Sequence, residues 1–164
     1  MTNDLERLKV AQWILERNLG WIAAAEIKVG VIVALDTAML GVLATSFSSL
    51  LPAERTVWAN SFSLLAAITI VVAIICTAMS VLPRVNGPQK SLLFFGRIAK
   101  LHQPNYLANF RAATESELLE DCLAQIHRNA EIARDKFMWV GRSMKWSFFS
   151  VVPWVAALSL LVKT

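Results

Sequence analysis

A single acidic side chain, that of Asp36, interrupts the long apolar stretch of residues 29–51. A charged carboxylate costs about 3 kcal/mol to place at the centre of a lipid bilayer, so such a group is normally neutral, hydrated or hydrogen-bonded. Asp36 could therefore line a polar seam between helices, or a pore formed on oligomerisation. It could equally accept a hydrogen bond from a hydroxyl of a neighbouring helix, for which Ser61, Ser63 and Thr69 are candidates.

Outside the apolar stretches, four basic side chains are candidate ligands for an anion: Arg97, Lys100, Arg128 and Lys136. An arginine guanidinium offers a planar fork of N–H donors that matches a phosphate group, whereas a lysine ammonium acts as a point charge. The same residues are also explained as positive charges beside lipid headgroups or on a solvated helix face. The residue types alone leave both interpretations open.

Motifs for catalysis or metal binding are missing from the sequence. It contains no Cys-x-x-Cys, no His-Glu-x-x-His, no phosphate-binding loop and no nucleophile elbow. His102 and His127 are far apart and have no metal-like neighbourhood. Cys76 and Cys122 fall in different segments, and both are predicted to be free thiols. We therefore expect a protein that is not an enzyme and needs neither a metal nor a cofactor.

Three stretches are long and apolar enough to cross a membrane: residues 29–51, 56–83 and 146–162. The composition agrees, since 56% of the residues are hydrophobic and 17% are charged, against about 25% charged in soluble domains. A soluble helical bundle is disfavoured because too little polar surface remains to cover three such runs. The third stretch is short and contains Pro153, so the sequence leaves open whether it crosses fully.

The basic residues indicate the topology. Fourteen of the 16 Lys and Arg residues lie in residues 1–28 and 84–145, whereas Arg55 and Lys163 lie on the other side. The positive-inside rule therefore places the N-terminus and residues 84–145 in the cytoplasm and the C-terminus outside. This topology accounts for the net charge of +4 without a nucleic acid polymer as partner. Charges interrupt the first 20 residues, so we expect a retained anchor and no signal peptide.

Two helices are predicted outside the membrane, which makes the expected fold an all-α membrane protein with three transmembrane helices and cytoplasmic amphipathic helical extensions. Residues 5–26 have an amphipathic pattern that leads into the first span. Residues 115–145 are predicted to form a helix, with Thr114 as its N-cap and Glu117 in the capping-box position. This helix could pack on the N-terminal helix or on another copy of the chain. The apolar seam predicted for this second helix contains Leu119, Cys122 or Leu123, Ile126, Ala130, Ala133, Phe137, Val140 and Met144.

Two parts of the chain resemble the Pycsar transmembrane effectors (PycTM). The first is Ser-Leu-Leu-Phe-Phe-Gly-Arg-Ile-Ala at residues 91–99, followed by Tyr106. The second is the set Gln125, Ile132 and Lys136 on the long helix. In addition, Glu26-Ile27-Lys28-Val29 at the mouth of the first span is similar to the Asp-x-Lys-Ala signature of that family, with Glu for Asp and Val for Ala. The resemblance covers roughly residues 20–145.

The resemblance implies an effector of antiphage defence. A neighbouring pyrimidine cyclase would make cyclic UMP or cyclic CMP on infection, and the effector would sense it and impair the bacterial inner membrane, causing abortive infection. The expected partners are this second messenger, the lipid bilayer and further copies of the chain. Because no cyclic-nucleotide-binding barrel is recognisable, residues 84–145 would bind the activating ligand. The candidate contacts are Arg97, Lys100, Gln125, Arg128 and Lys136, with Tyr106 or Phe95 for stacking.

Two other functions remain as alternatives. A membrane effector that is activated by cyclic oligonucleotides would share this architecture and differ only in its ligand. A constitutive membrane scaffold would use the cytoplasmic helix to recruit a partner, and would depend on Ile126 or Ala133 but not on Arg97 and Lys100.

Overall fold

The fold is described by a computed structural model that covers residues 4–162. This part of the chain is helical and contains no β-strand. It comprises α1 (Asp4–Ser48), a 3-10 helix (Pro52–Glu54), α2 (Val57–Val81), α3 (Phe95–Ile98), α4 (Gln103–Ala112) and α5 (Glu115–Leu161). Three of these helices, α1, α2 and α5, are long and apolar enough to cross a membrane. The predicted all-α membrane fold is therefore confirmed.

Two of the predicted membrane spans are parts of much longer helices. The amphipathic segment of residues 5–26 continues without a break into the first apolar stretch, as predicted, because no Gly-Pro or turn sequence separates them. Helix α5 likewise continues through Pro153, which membrane helices tolerate when neighbouring groups satisfy the freed carbonyl. The membrane limits at residues 29–51, 56–83 and 146–162 stay a prediction, and Lys163 lies outside the described residues.

The described chain forms two compact units. Residues 4–24 and 83–135 make up the first unit, and residues 25–82 and 136–162 make up the second. Helices α1 and α5 contribute residues to both units, whereas α3 and α4 belong to the first and α2 to the second.

In the first unit, a capping box fixes the start of α5. The Thr114 Oγ1 accepts a hydrogen bond from the Glu117 amide at 3.3 Å, and the Glu117 carboxylate accepts one from the Thr114 amide at 2.8 Å. The prediction of this cap is confirmed. The two hydrogen bonds from Thr114, first from its amide and then from its hydroxyl, hold the pKa of the Glu117 carboxyl below its usual value.

The loop before α3 is held on α5 by two polar side chains. Ser91 is buried, and its Oγ accepts hydrogen bonds from the Phe94 amide at 2.8 Å and from the Gln125 side chain at 3.0 Å. The Asp121 carboxylate accepts hydrogen bonds from the Leu92 and Leu93 amides at 2.7 and 3.1 Å. These contacts satisfy backbone donors that the loop cannot pair by itself, and they direct the chain into α3.

The second unit has small and polar residues inside and large apolar residues outside. Ala66 and Ala73 of α2 are fully buried, and their small side chains allow the helices to approach closely. By contrast, Leu64 and Phe148 are 63% and 72% exposed. In water such a surface would be strongly unfavourable, so this arrangement fits a bilayer around the unit.

The apolar seam predicted for α5 is right in part, since Cys122, Ala133 and Val140 are buried. Leu123, Ala130, Phe137 and Met144 are exposed. Four further positions of residues 115–147 are buried although they are polar and lie outside the predicted seam: Gln125, Lys136, Ser143 and Ser147. Hydrophobic periodicity missed these positions because their polar side chains have hydrogen-bonding partners inside the chain, so the helix buries them.

The amphipathic pattern of residues 5–26 predicts an apolar stripe of Leu5, Leu8, Leu15, Leu19 and Ile22, and this prediction is right only in part. Leu5 and Leu19 are exposed, while Ala11 and Asn18 are buried. The Asn18 side chain donates a hydrogen bond to the Ile126 carbonyl at 3.1 Å. In the first unit, α5 therefore packs on α1 of the same chain.

Candidate functional site

A cavity of about 320 Å³ lies in the first unit. It is lined on one side by apolar residues of α1 and on the other by polar and aromatic residues of α5 and of the loop before α3. The lining residues are Leu15, Leu19, Arg84, Asn86, Leu93, Phe94, Phe95, Gln125, Arg128, Asn129 and Ile132.

Hydrogen bonds fix the polar side of this cavity, which we call the unit-1 cavity. The Arg128 guanidinium donates through Nε to the Asn86 carbonyl at 2.7 Å and through Nη1 to the Glu131 carboxylate at 2.9 Å. The Asn129 side chain donates to the Gln125 carbonyl at 2.9 Å. A guanidinium held in this way is preorganised, so little side-chain entropy is lost when an anion binds.

The aromatic side of the unit-1 cavity depends on two glycines. A Cβ atom at Gly87 would lie 2.6 Å from the Phe94 ring, and one at Gly96 would lie 2.7 Å from it. Phe94 also packs against Phe95, with ring centroids 4.9 Å apart. Because the two glycines have no side chain, the Phe94 ring can occupy the space beside them.

Replacing Gly87 by alanine is expected to destabilise the protein by about 1–3 kcal/mol, the usual effect of overpacking, because the Phe94 ring must move. The thermal midpoint in detergent would measure this. Gly20→Ala is the matched control, since nothing lies within 4 Å of a Cβ there, and alanine should slightly stabilise that helical position. Equal effects at Gly87 and Gly20 would contradict the packing argument.

Three residues predicted for ligand contacts line the unit-1 cavity: Gln125, Arg128 and Phe95. Tyr106 instead donates its hydroxyl to the Leu92 carbonyl at 3.3 Å, which supports the loop from α4. Arg97 and Lys100 lie on and just after α3 and do not contribute to the lining.

Lys136, the last of the predicted contacts, lies in the second unit. Its ammonium is 2.7 Å from the Glu26 carboxylate, and its side chain is only 8% exposed. Glu26 and Lys136 come from the two separate motifs that carried the resemblance, and the structure brings them together as an ion pair. Lys28, from the same motif as Glu26, lies 5.5 Å from the Phe137 ring centroid.

Four lining residues were not found from the sequence: Arg84, Asn86, Phe94 and Asn129. In the sequence, an Asn-Gly pair such as residues 86 and 87 indicates a turn, and Arg84 is one of the basic residues that indicate the topology. Arg84, Asn86 and Phe94 line the same cavity as residues of α5, and Arg128 donates to the Asn86 carbonyl across more than 40 positions of the chain. No local pattern encodes such a long-range contact.

Asp36 is fully buried and accepts a hydrogen bond from the Ser147 hydroxyl of α5 at 2.9 Å. The predicted donors were therefore wrong. Ser61 bonds to the Val57 carbonyl and Thr69 to the Leu65 carbonyl within their own helix.

The remaining reactive side chains do not form a chemical centre in residues 4–162. No group of three or more His, Cys, Asp or Glu side chains there could hold a metal ion. Cys76 and Cys122 are both free, as predicted, and both are buried. Burial, and to a lesser extent the charge of Asp121, raises the pKa of the Cys122 thiol, which makes it a poor nucleophile at neutral pH.

These features define a helical multi-pass membrane protein that carries a polar, aromatic-lined cavity in a unit of its own. The chain matches the family described as Pycsar effector protein domain (PycTM) over residues 10–163. It is 27% identical over 157 residues to the Pycsar effector protein PtPycTM of Propioniciclava tarda. The aligned region covers 87% of this chain and 74% of that protein. No solved structure shows a significant match. The chain therefore belongs to the Pycsar effector family, and it is an effector of antiphage defence.

Proposed function

We propose that this effector binds a cyclic pyrimidine mononucleotide, cyclic UMP or cyclic CMP, in the unit-1 cavity and then impairs the bacterial inner membrane, which causes abortive infection. A pyrimidine cyclase would supply the nucleotide. The proposed topology places the N-terminus and the unit-1 cavity in the cytoplasm, where the nucleotide is made, in accord with the positive-inside rule.

The observation that carries this proposal is the lining of the unit-1 cavity. Arg84 and Arg128 supply guanidinium groups for the cyclic phosphate, and Gln125 and Asn129 supply amide groups, which suit the polar edge of a pyrimidine. Phe94 and Phe95 supply apolar ring faces. One small site thus combines the groups that a phosphate and a planar base require.

The size of the unit-1 cavity favours a mononucleotide over a cyclic oligonucleotide. Sites for small molecules occupy about 300–1,000 Å³, and the cavity, at about 320 Å³, is at the lower end of that range. A cyclic dinucleotide carries two bases and two phosphates and therefore needs a larger site than a cyclic mononucleotide does.

Binding must also change the membrane unit, and a ligand can do so only if it binds one conformation better than another. Helices α1 and α5 both line the unit-1 cavity and both continue into the second unit. We propose that the nucleotide favours a homo-oligomeric, active arrangement. The exposed small residues Gly30, Ala34 and Ala38 of α1 would allow close contact between copies.

The test is binding of cyclic UMP, cyclic CMP and a cyclic dinucleotide to the full chain purified in detergent, measured by calorimetry. We expect at least tenfold tighter binding of one cyclic pyrimidine mononucleotide than of the dinucleotide. Preference for the dinucleotide would favour the cyclic-oligonucleotide alternative. Binding of none of the three, with full antiphage protection in cells, would favour the scaffold alternative.

A further inference from the structure

The second unit contains a file of buried polar side chains that the binding function does not use. These side chains come from all three long helices, and each is at most 7% exposed. The file consists of Asp36 on α1, Thr77 and Ser80 on α2, and Ser143, Ser147 and Ser150 on α5.

Hydrogen bonds connect one end of this polar file. The Ser80 hydroxyl lies 3.5 Å from the Lys136 carbonyl, at the residue that forms the ion pair with Glu26. The hydroxyls of Thr77 and Ser143 are directly hydrogen-bonded to each other. The polar file therefore begins beside a charged pair and continues inward from it.

The file then reaches Asp36. Ser147 lies one helical turn after Ser143, donates to the Asp36 Oδ2 at 2.9 Å and also approaches the Ser143 carbonyl at 3.1 Å. Ser150 donates to the Ser147 carbonyl at 2.7 Å. Successive polar groups are thus no more than about one turn apart.

Asp36 itself has an open hydrogen-bonding position. Its Oδ2 accepts from Ser147, whereas its Oδ1 is buried and has no hydrogen-bond partner among residues 4–162. Buried polar atoms are normally paired because an unpaired one is costly. An acid inside membrane helices that is only half satisfied is a typical position for a mobile proton or a bound water.

Beyond Ser150 the buried residues are mostly apolar, with Ser63 of α2 as a buried polar side chain among them. Leu43, Ala157 and Leu161 are buried in one cluster with Ala59 and Ala66, and Trp154 packs against it. Apolar constrictions of this kind close membrane pathways by excluding water. The polar file is therefore open to hydrogen bonding from the Lys136 end as far as Asp36 and is closed at the other end.

We infer that this polar file is a proton pathway and that Asp36 is its proton-binding site. The Asp36 carboxylate takes one proton from hydronium by way of the Ser147 hydroxyl and of water molecules that would bridge this hydroxyl to the other hydroxyls of the file. Each relay group accepts one proton and passes on its own, so that hydronium becomes water and the carboxylate becomes a neutral carboxyl. When the apolar cluster opens, the carboxyl releases that proton to water on the opposite side. This inference rests on the proposed function and specifies it, since membrane impairment would then be a proton leak too narrow for larger solutes.

The test uses the full chain in phosphatidylethanolamine–phosphatidylglycerol vesicles that contain a pH-sensitive dye. A potassium diffusion potential drives proton entry, with and without cyclic UMP or cyclic CMP, and release of carboxyfluorescein is measured in parallel. We expect proton flux without carboxyfluorescein release. Asp36→Asn keeps a hydrogen-bond acceptor for Ser147 but should lower the flux at least tenfold. Asp36→Glu should retain flux. Ser159→Ala should also retain flux, because the Ser159 hydroxyl is exposed on α5, the helix that carries Ser147.

The outcomes separate this inference from the proposed function. Carboxyfluorescein release that is equal in the wild type and in Asp36→Asn would overturn the proton pathway and leave nucleotide-triggered membrane impairment intact. Absence of any Asp36-dependent proton flux, with or without nucleotide, would also overturn it. Asp36-dependent proton flux that is equal with and without the nucleotide would support the pathway and contradict the proposed control by the nucleotide.

Discussion

Arg128→Ala is expected to weaken nucleotide binding about ten- to a hundredfold and to abolish protection against phage. A hydrogen bond to a charged group contributes about 1.5–3 kcal/mol, and each 1.4 kcal/mol changes affinity about tenfold. The hydrogen bond from the Arg128 Nε to the Asn86 carbonyl fixes the orientation of the guanidinium. Replacing Arg128 by alanine therefore removes a positive charge and also a donor group that is already oriented. Calorimetry measures the affinity, and plaque counts in cells that also express the cyclase measure protection.

Three companion variants distinguish binding from structure. Arg134→Ala removes a cation that is 78% exposed on the same helix and should change nothing. Arg128→Lys keeps the charge but loses the fork, so we expect intermediate affinity. Glu131→Gln removes the competing carboxylate and should maintain or raise the affinity for an anion. If Glu131→Gln lowered affinity as much as Arg128→Ala, the guanidinium would have a structural role only.

The ion pair of Glu26 and Lys136 is expected to respond asymmetrically to mutation. Its Lys136 side chain is 8% exposed, whereas that of Glu26 is 57% exposed. Glu26→Ala leaves a buried ammonium without its counter-ion, and such a loss typically costs about 3–5 kcal/mol. Lys136→Met leaves a carboxylate that water can solvate, so its cost should be well below that of Glu26→Ala.

The thermal midpoint in detergent, or the yield of folded protein from membranes, measures this asymmetry. The double variant Glu26→Gln with Lys136→Met should be more stable than Glu26→Ala alone, because no buried charge remains. Lys28→Ala is the control, since Lys28 belongs to the same motif and does not contact Lys136. Equal destabilisation by Glu26→Ala and Lys136→Met would show that the pair is solvated and that burial does not determine its energetics.

The ion pair of Glu26 and Lys136 also helps to explain the sequence motifs that resemble the Pycsar effectors. Glu26 and Lys136 lie more than a hundred positions apart in the chain, and each belongs to a different motif. Ser91 and Gln125, which also come from separate parts of the resemblance, are joined by a hydrogen bond. These motifs are therefore explained in part by contacts that fix α1 and the loop before α3 on α5.

The sequence by itself determined the features that depend on local composition. Long apolar runs favour helices of membrane length because an unpaired backbone is too costly in lipid, and three such helices are present. The capping box at Thr114 and Glu117 was equally predictable, since its two partners are three residues apart. The presence of one acid in the first apolar stretch was also visible directly.

Only the tertiary structure decided which polar side chains meet. Hydrophobic periodicity placed Phe137 and Met144 in the seam of α5, yet Lys136 and Ser143 are buried instead. The physical reason is that burial of a polar group depends on a partner that is distant in the chain: Glu26 for Lys136, Thr77 for Ser143 and Ser147 for Asp36. The unit-1 cavity follows the same rule, because Arg84, Phe94 and Arg128 become neighbours only when the loop folds back onto α5.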